Sequence, residues 1–190
     1  MLKLDNHASG RHFLHIPGPS PVPPRVLRAI SYQTIDHRGP EFGAFGLKVL
    51  EGIKKIFKTE QPVIIYSASG TGSWEGALVN VLNPGDKVLF YETGQFANLW
   101  RALAQRLGFN VEVVGKPGQD TWRWGVDAAV IEERLRKDTQ HEIKAVCVVH
   151  NETSTGVTSN IAAVRKALDA AGDRKSTRLN SSHVKRSRMP

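Results

Sequence analysis

What this sequence has little of narrows its class before any motif is read. It holds one cysteine, Cys147, so no intrachain disulfide can form, and its place inside an apolar run predicts a buried thiol. No apolar run approaches the length of a membrane span, and the first residues, MLKLDNHASGRHF, lack a signal-peptide core. Membrane association is therefore not expected, and the cytoplasm is the expected compartment. The G-x-x-x-x-G-K-[ST] phosphate loop is missing. So is the dinucleotide fingerprint, because Gly70 and Gly72 are followed by Glu75 where a third glycine is needed. No set of metal ligands is assigned.

Evenly distributed positive charge is also lacking. The formal net charge is +8, but residues 173–190 hold six Lys/Arg and one Asp, and the remaining 172 residues carry a net of only +3. A body so nearly neutral is not a nucleic-acid footprint, and no nucleic-acid partner is expected.

What is present suits a globular α/β domain. Charged residues make up 23% and hydrophobic residues 40% of 190, which excludes a disordered composition and gives enough chain for one buried core. Residues 1–22 form an irregular arm, rich in Gly and Pro at 17–21. Pro23-Pro24 opens a short helix with Val26, Leu27 and Ile30. Asp36-His37-Arg38-Gly39 is a turn, which leaves open whether His37 and Arg38 are exposed charge or ligand contacts. Pro40 starts a helix with an apolar stripe of Phe42, Phe45, Val49, Leu50, Ile53, Ile56 and Phe57, and Lys54, Lys55 and Lys58 lie at its dipole-favoured end.

The chain is organised around residues 62–86. The run Val63–Tyr66 predicts a buried strand, followed by the small-residue loop Ser67–Ser73 and a helix with Trp74, Ala77, Leu78, Val81 and Leu82 on one face. Asn83-Pro84-Gly85-Asp86 stops it. Loop N–H groups and the positive helix end converge where an anion could sit, with hydroxyls from Ser69, Thr71 or Ser73 nearby. The loop alone fits equally a tight turn that binds nothing.

Further strands are expected at 87–91, 111–114 and 144–149. The helices between and after them carry Phe96, Leu99, Trp100, Leu103 and Leu107; then Val130, Ile131 and Leu135 after an Asp127 cap; then Ile161, Val164, Leu168 and Ala171 after Ser159 or Asn160. Alternating apolar strands and helices predict a parallel sheet covered on both faces. Ligands in such sheets gather at the carboxyl ends of the strands, where Ser69-Gly70-Thr71 and Asn151-Glu152-Thr153 both fall.

Four ordered segments carry a family resemblance over about residues 10–172: HIPGPSPVPPRVLRAI, TIDHRGPEF, SASGTGSWEGALVNVLNPGD and VVHNETSTGVTS. Together they resemble the class V, fold-type I pyridoxal-phosphate aminotransferases, most closely the serine–glyoxylate and alanine–glyoxylate group. The resemblance implies the N-terminal part of a three-layer, mostly parallel-sheet large domain. It implies pyridoxal 5'-phosphate as cofactor, a small amino acid and a 2-oxo acid as substrates, and a homodimer. Ser69, Gly70 and Thr71 would hold the phosphate, Phe96 would stack on the pyridine ring, and Thr153 would hydrogen-bond the phenolic oxygen. Gly18 would approach the substrate, near the second subunit, and the His37-Arg38 turn would lie near the subunit interface and the mouth of the site. By periodicity alone Phe96 reads as a core residue of the helix's apolar stripe.

The resemblance breaks at Gly172–Asp173. No strand pattern follows, and DRKSTRLNSSHVKRSRMP predicts a basic tail unrelated to the domain 23–172 or disordered. None of the twelve lysines lies in the Gln-Lys context of the family's Schiff-base lysine, so no catalytic residue is assigned. The expectation is a truncated aminotransferase that does not transaminate by itself. The alternative is a non-catalytic phosphate-binding or interaction module with a basic tail.

Overall fold

A computed structural model describes residue 14 and residues 20–115, 121–171 and 177–180. Gly18 lies outside the described residues. The chain divides into two compact units, 1–51 and 52–190.

In the first unit, α1 (Pro24–Ile30) begins with proline in its first turn, as the sequence predicts, and buries no residue. Helix α2 (Pro40–Phe57) crosses the boundary between the units and also buries none. Its periodic apolar stripe forms the helix but leaves Phe42, Phe45, Val49 and Leu50 exposed. The stripe fixes which face is apolar, whereas burial requires a second surface against it.

The second unit is built on a parallel sheet. Its strands β1 (Lys87–Tyr91), β2 (Asn110–Val114) and β3 (Ile143–Val148) fall where the apolar runs predict them. The order is β2-β1-β3-β6, where β6 is Thr177–Asn180. Successive side chains of β1 point to opposite faces, and both faces are covered. Val88 and Phe90, with Ala145 and Cys147 of β3, pack against Trp74, Leu78, Trp100 and Ala104 of α3 (Gly70–Val79) and α4 (Gln95–Arg106). Leu89 and Tyr91, with Val146 and Val148, pack against Ile131 and Leu135 of α5 (Ala128–Arg136) and Val164 and Leu168 of α6 (Ile161–Ala170). Each buried Val, Leu, Ile or Phe side chain contributes about 1.5–3 kcal/mol, which makes this layered core the main source of stability. Burial also pushes the Cys147 thiol well above its ordinary range, so it remains an uncharged core residue.

Local capping follows the sequence. Asp127 accepts a hydrogen bond from Ala129 N at 3.0 Å, and Asn160, rather than Ser159, accepts from Ala163 N at 3.0 Å. Each cap is worth about 1 kcal/mol. Ser159 instead donates its hydroxyl to the Val149 carbonyl at 3.0 Å and accepts from Val126 N.

Four expectations are corrected. Val63–Tyr66 forms no strand, with Ile64 70% and Tyr66 78% exposed. A strand exists only against a partner's hydrogen-bond ladder, and none of the described strands pairs with it. Helix α3 begins at Gly70, not Trp74, so Thr71, Gly72 and Ser73 belong to its first turn, and it ends at Val79. On α4 the buried face is Ala97, Trp100, Leu103 and Ala104, while Phe96 and Leu99 are exposed. Finally, Thr177–Asn180 pairs with β3, Ala145 opposite Thr177 through Val148 opposite Asn180, where the sequence pattern predicts no strand. Parallel pairing uses backbone groups that any stretch free of proline carries, so a polar segment can extend a sheet edge.

Candidate functional site

Three chain segments make up the candidate site, linked in turn by the Trp74–Phe96 ring contact and the Phe96–Glu152 hydrogen bond. The first is the start of α3. Ser69 is its N-cap residue, in an extended conformation, and its side chain makes no capping hydrogen bond. The first intrahelical bond of the turn runs from Ser73 N to the Ser69 carbonyl at 3.3 Å, so the N–H groups of Gly70, Thr71 and Gly72 precede it. Ser69, Gly70, Thr71 and Ser73 are all exposed. A Cβ at Gly70 would meet no atom within 4 Å, whereas one at Gly72 would lie 2.7 Å from the Ala68 Cβ. Gly72 thus lets the loop close tightly, and Gly70 keeps the outer side open.

The second segment is the start of α4, which follows β1. Phe96 is its second residue, with 37% of its surface exposed. Its ring meets Trp74 edge-on, with centroids 6.3 Å apart, and Trp74 stacks on Trp100 at 5.8 Å. Trp100 in turn meets Phe90 edge-on at 5.5 Å. Such pairs add about 0.5–1.5 kcal/mol each beyond burial, and this row of rings fixes the start of α3 against the start of α4.

The third segment follows β3. Strands β4 (Asn151–Glu152) and β5 (Val157–Thr158) form a small antiparallel hairpin that the sequence pattern does not predict. Its turn, Thr153–Gly156, is closed by Gly156 N to the Glu152 carbonyl at 2.8 Å. Gly156 has φ +76°, a conformation that favours glycine. Thr153 is exposed at the head of this turn.

One residue that sequence reasoning passed over joins the last two segments. Glu152 is only 1% exposed, and its carboxylate accepts from Phe96 N at 3.2 Å, Ala97 N at 3.1 Å and Ser154 N at 3.2 Å. The Ser154 hydroxyl donates to the same carboxylate at 2.6 Å and accepts from Gln95 N at 3.0 Å. The available signal was an acidic residue immediately after an apolar strand, where a buried charge must find several donors.

The lysines at the opposite end of the strands are both engaged. Lys87, first in β1, bonds to Glu142, and Lys144 donates to the His141 carbonyl at 2.7 Å. Arg134 forks onto Glu112, with its second bond at 2.7 Å, and that hydrogen bond holds the Glu112 carboxyl below its usual range. Neither Lys87 nor Lys144 lies at the end that carries Phe96 and Thr153. Among the described residues no cluster of His, Cys, Asp or Glu could hold a metal ion, and no helix is long and apolar enough to cross a membrane.

An exposed helix start beside a half-exposed aromatic ring and an exposed hydroxyl suits a ligand with an anionic group on an aromatic ring. Comparison with known proteins agrees: the Aminotransferase class-V family profile matches residues 12–173. The chain belongs to the class V aminotransferases. Pyridoxal phosphate is the cofactor that membership in this family implies. Serine–glyoxylate aminotransferase of Methylorubrum extorquens is 52% identical over 164 residues, covering 86% of this class V chain and 40% of that protein. L-aspartate–glyoxylate aminotransferase of Paracoccus denitrificans is 48% identical over 159 residues, 83% of this chain and 39% of the relative. The crystal structure of alanine–glyoxylate aminotransferase from Nostoc sp. matches with a TM-score of 0.74 at 28% identity, covering 94% of this chain and 45% of that one. The fold-type I architecture expected from the sequence is thereby supported. The chain spans about 40% of the length of the curated relatives it matches.

The residues present fit the cofactor. Three N–H groups and the adjoining hydroxyls at the α3 start suit a phosphate, with open space outside Gly70. The exposed Phe96 ring offers a stacking face, and Thr153 offers a hydroxyl.

Proposed function

We propose that this chain carries the phosphate- and ring-holding half of the pyridoxal-phosphate site of a class V aminotransferase that passes an amino group from serine to glyoxylate. The observation that carries the reading is the exposed, uncapped start of α3, tied through Trp74 to the exposed Phe96 ring. Ser69, Gly70 and Thr71 hold the phosphate through backbone N–H and hydroxyl donors, Phe96 covers one face of the ring, and Thr153 donates to the ring's phenolic oxygen. When bound, pyridoxal phosphate supplies the electron sink that amino-group transfer requires. Gly18 at the substrate, and a homodimer in the whole protein, belong to the same reading. Serine is favoured as donor because the 52% identical relative is named for it, although the 48% identical one is named for aspartate. The chain alone is taken to bind without turnover.

Two measurements test this. Titration of the chain with pyridoxal phosphate, inorganic phosphate and ATP, followed by tryptophan fluorescence, should show quenching from the Trp74–Phe96 neighbourhood and a preference for pyridoxal phosphate. Equal affinity for all three would remove the site. Joining residues 1–172 to the remaining part of the Methylorubrum extorquens relative should give a protein that consumes serine with glyoxylate faster than alanine or aspartate. A preference for aspartate would overturn the donor assignment.

A further inference from the structure

We propose that Glu152 is a positioning residue, which clamps the start of α4, and with it Phe96, onto the turn that carries Thr153. The inference rests on the cofactor reading above and deepens it: the clamp sets the spacing at which a ring face and a hydroxyl meet one ligand. The first N–H groups of a helix ordinarily donate to the side chain of the residue just ahead of it. Helix α4 does not, because its N-cap is Gly94, which has no side chain to offer. Its first three N–H groups, those of Gln95, Phe96 and Ala97, are all taken by Ser154 and Glu152, more than fifty positions along the chain.

That arrangement costs the desolvation of a carboxylate, which a serine or aspartate at position 94 would avoid. The packing sets the two arrangements against each other. A Cβ at Gly94 would stand 2.7 Å from both the Glu152 Cγ and the Ser154 Oγ, so a local cap and the distant clamp exclude each other. What the distant cap adds is a rigid connection between two loops that each carry one proposed cofactor contact. Phe96 follows directly from a clamped N–H, and Thr153 stands between the two clamping residues in sequence. The buried carboxylate also fills the positive end of α4 with the protein's own negative charge, leaving the start of α3 as the place for a ligand phosphate.

The test uses the whole chain with Glu152→Gln, which keeps the shape but replaces one acceptor oxygen by a donor, and Ser154→Ala as the milder variant. Amide exchange at residues 95–97 should accelerate by about tenfold or more in Glu152→Gln, while amides 88–91 and 145–148 are unchanged. Affinity for pyridoxal phosphate should fall about tenfold, and affinity for inorganic phosphate, which needs only the α3 start, should stay the same. Ser154→Ala should show the same split with a smaller change. Unchanged exchange at 95–97 would overturn the clamp, and equal weakening of both ligands would reduce Glu152 to general support of the fold. If the parent chain binds pyridoxal phosphate no better than phosphate, the cofactor reading fails and takes the ligand half of this inference with it. The exchange data then still decide whether the clamp exists.

Discussion

Helices α3 and α4 share one face of the sheet, and their first N–H groups meet opposite fates. At α4 every one of the first three is taken by the 152–154 turn. At α3 the side chain of the cap residue Ser69 makes no capping bond, and the N–H groups of Gly70, Thr71 and Gly72 precede the first intrahelical bond. A saturated helix start is structural material, whereas an unsaturated one beside an aromatic ring is a place for an anion. On the cofactor reading proposed above, the difference gives phosphate holding to one helix and ring placement to the other. Trp74 holds them together.

The most damaging way to break this comparison is Trp74→Ala. Trp74 is 6% exposed and packed between Phe96 and Trp100. Its truncation should cost about 3–5 kcal/mol, read as a lowered urea midpoint. A loss below about 1 kcal/mol would mean that the two starts are held by something else.

Glu152→Ala comes next. It strips the acceptor from Phe96 N, Ala97 N and Ser154 N, and a destabilisation of about 2–3 kcal/mol is expected in chemical denaturation. Inorganic phosphate binding in the folded variant should not change, and a large fall would show that the two starts are not separate in function.

Gly70→Val should act almost wholly on the ligand. A Cβ there meets nothing within 4 Å in the protein, so stability should change by less than about 1 kcal/mol. Pyridoxal-phosphate affinity should nevertheless drop about tenfold in an absorbance titration, because a branched side chain occupies the space the phosphate needs. Affinity equal to that of the parent would take the loop out of the site.

Ser73→Ala is the smallest change. Its hydroxyl is one donor among several N–H groups, and a loss of about twofold or less is expected in the same titration. A loss exceeding that of Gly70→Val would show that the hydroxyl, not the backbone, is the main anchor.

How much was legible in the sequence follows the range of the forces involved. Val88–Tyr91 and Ala145–Val148 are apolar runs long enough to be read as strands covered on both faces, and Asp127 and Asn160 cap helices that start within three residues of them. Thr153 was readable as lying past the carboxyl end of β3, because parallel strands place their following loops there. The same argument fails for Ser69–Thr71, because Val63–Tyr66 pairs with none of the described strands. Phe96 shows the limit of periodicity: its spacing matched the buried face of α4, yet Ala97 occupies the core position and Phe96 stands half out of it.

By itself the sequence determined the alternation of strand and helix, the two apolar faces of the sheet and the family to which the chain belongs. All of these depend on neighbours a few residues apart or on motifs kept in order. Only the tertiary structure decided that Val63–Tyr66 pairs with none of the described strands, that Thr177–Asn180 lies along β3, and that Glu152 reaches across to cap α4. A strand needs a partner and a buried carboxylate needs donors, and in this chain those partners come from segments distant in sequence, which no local pattern encodes.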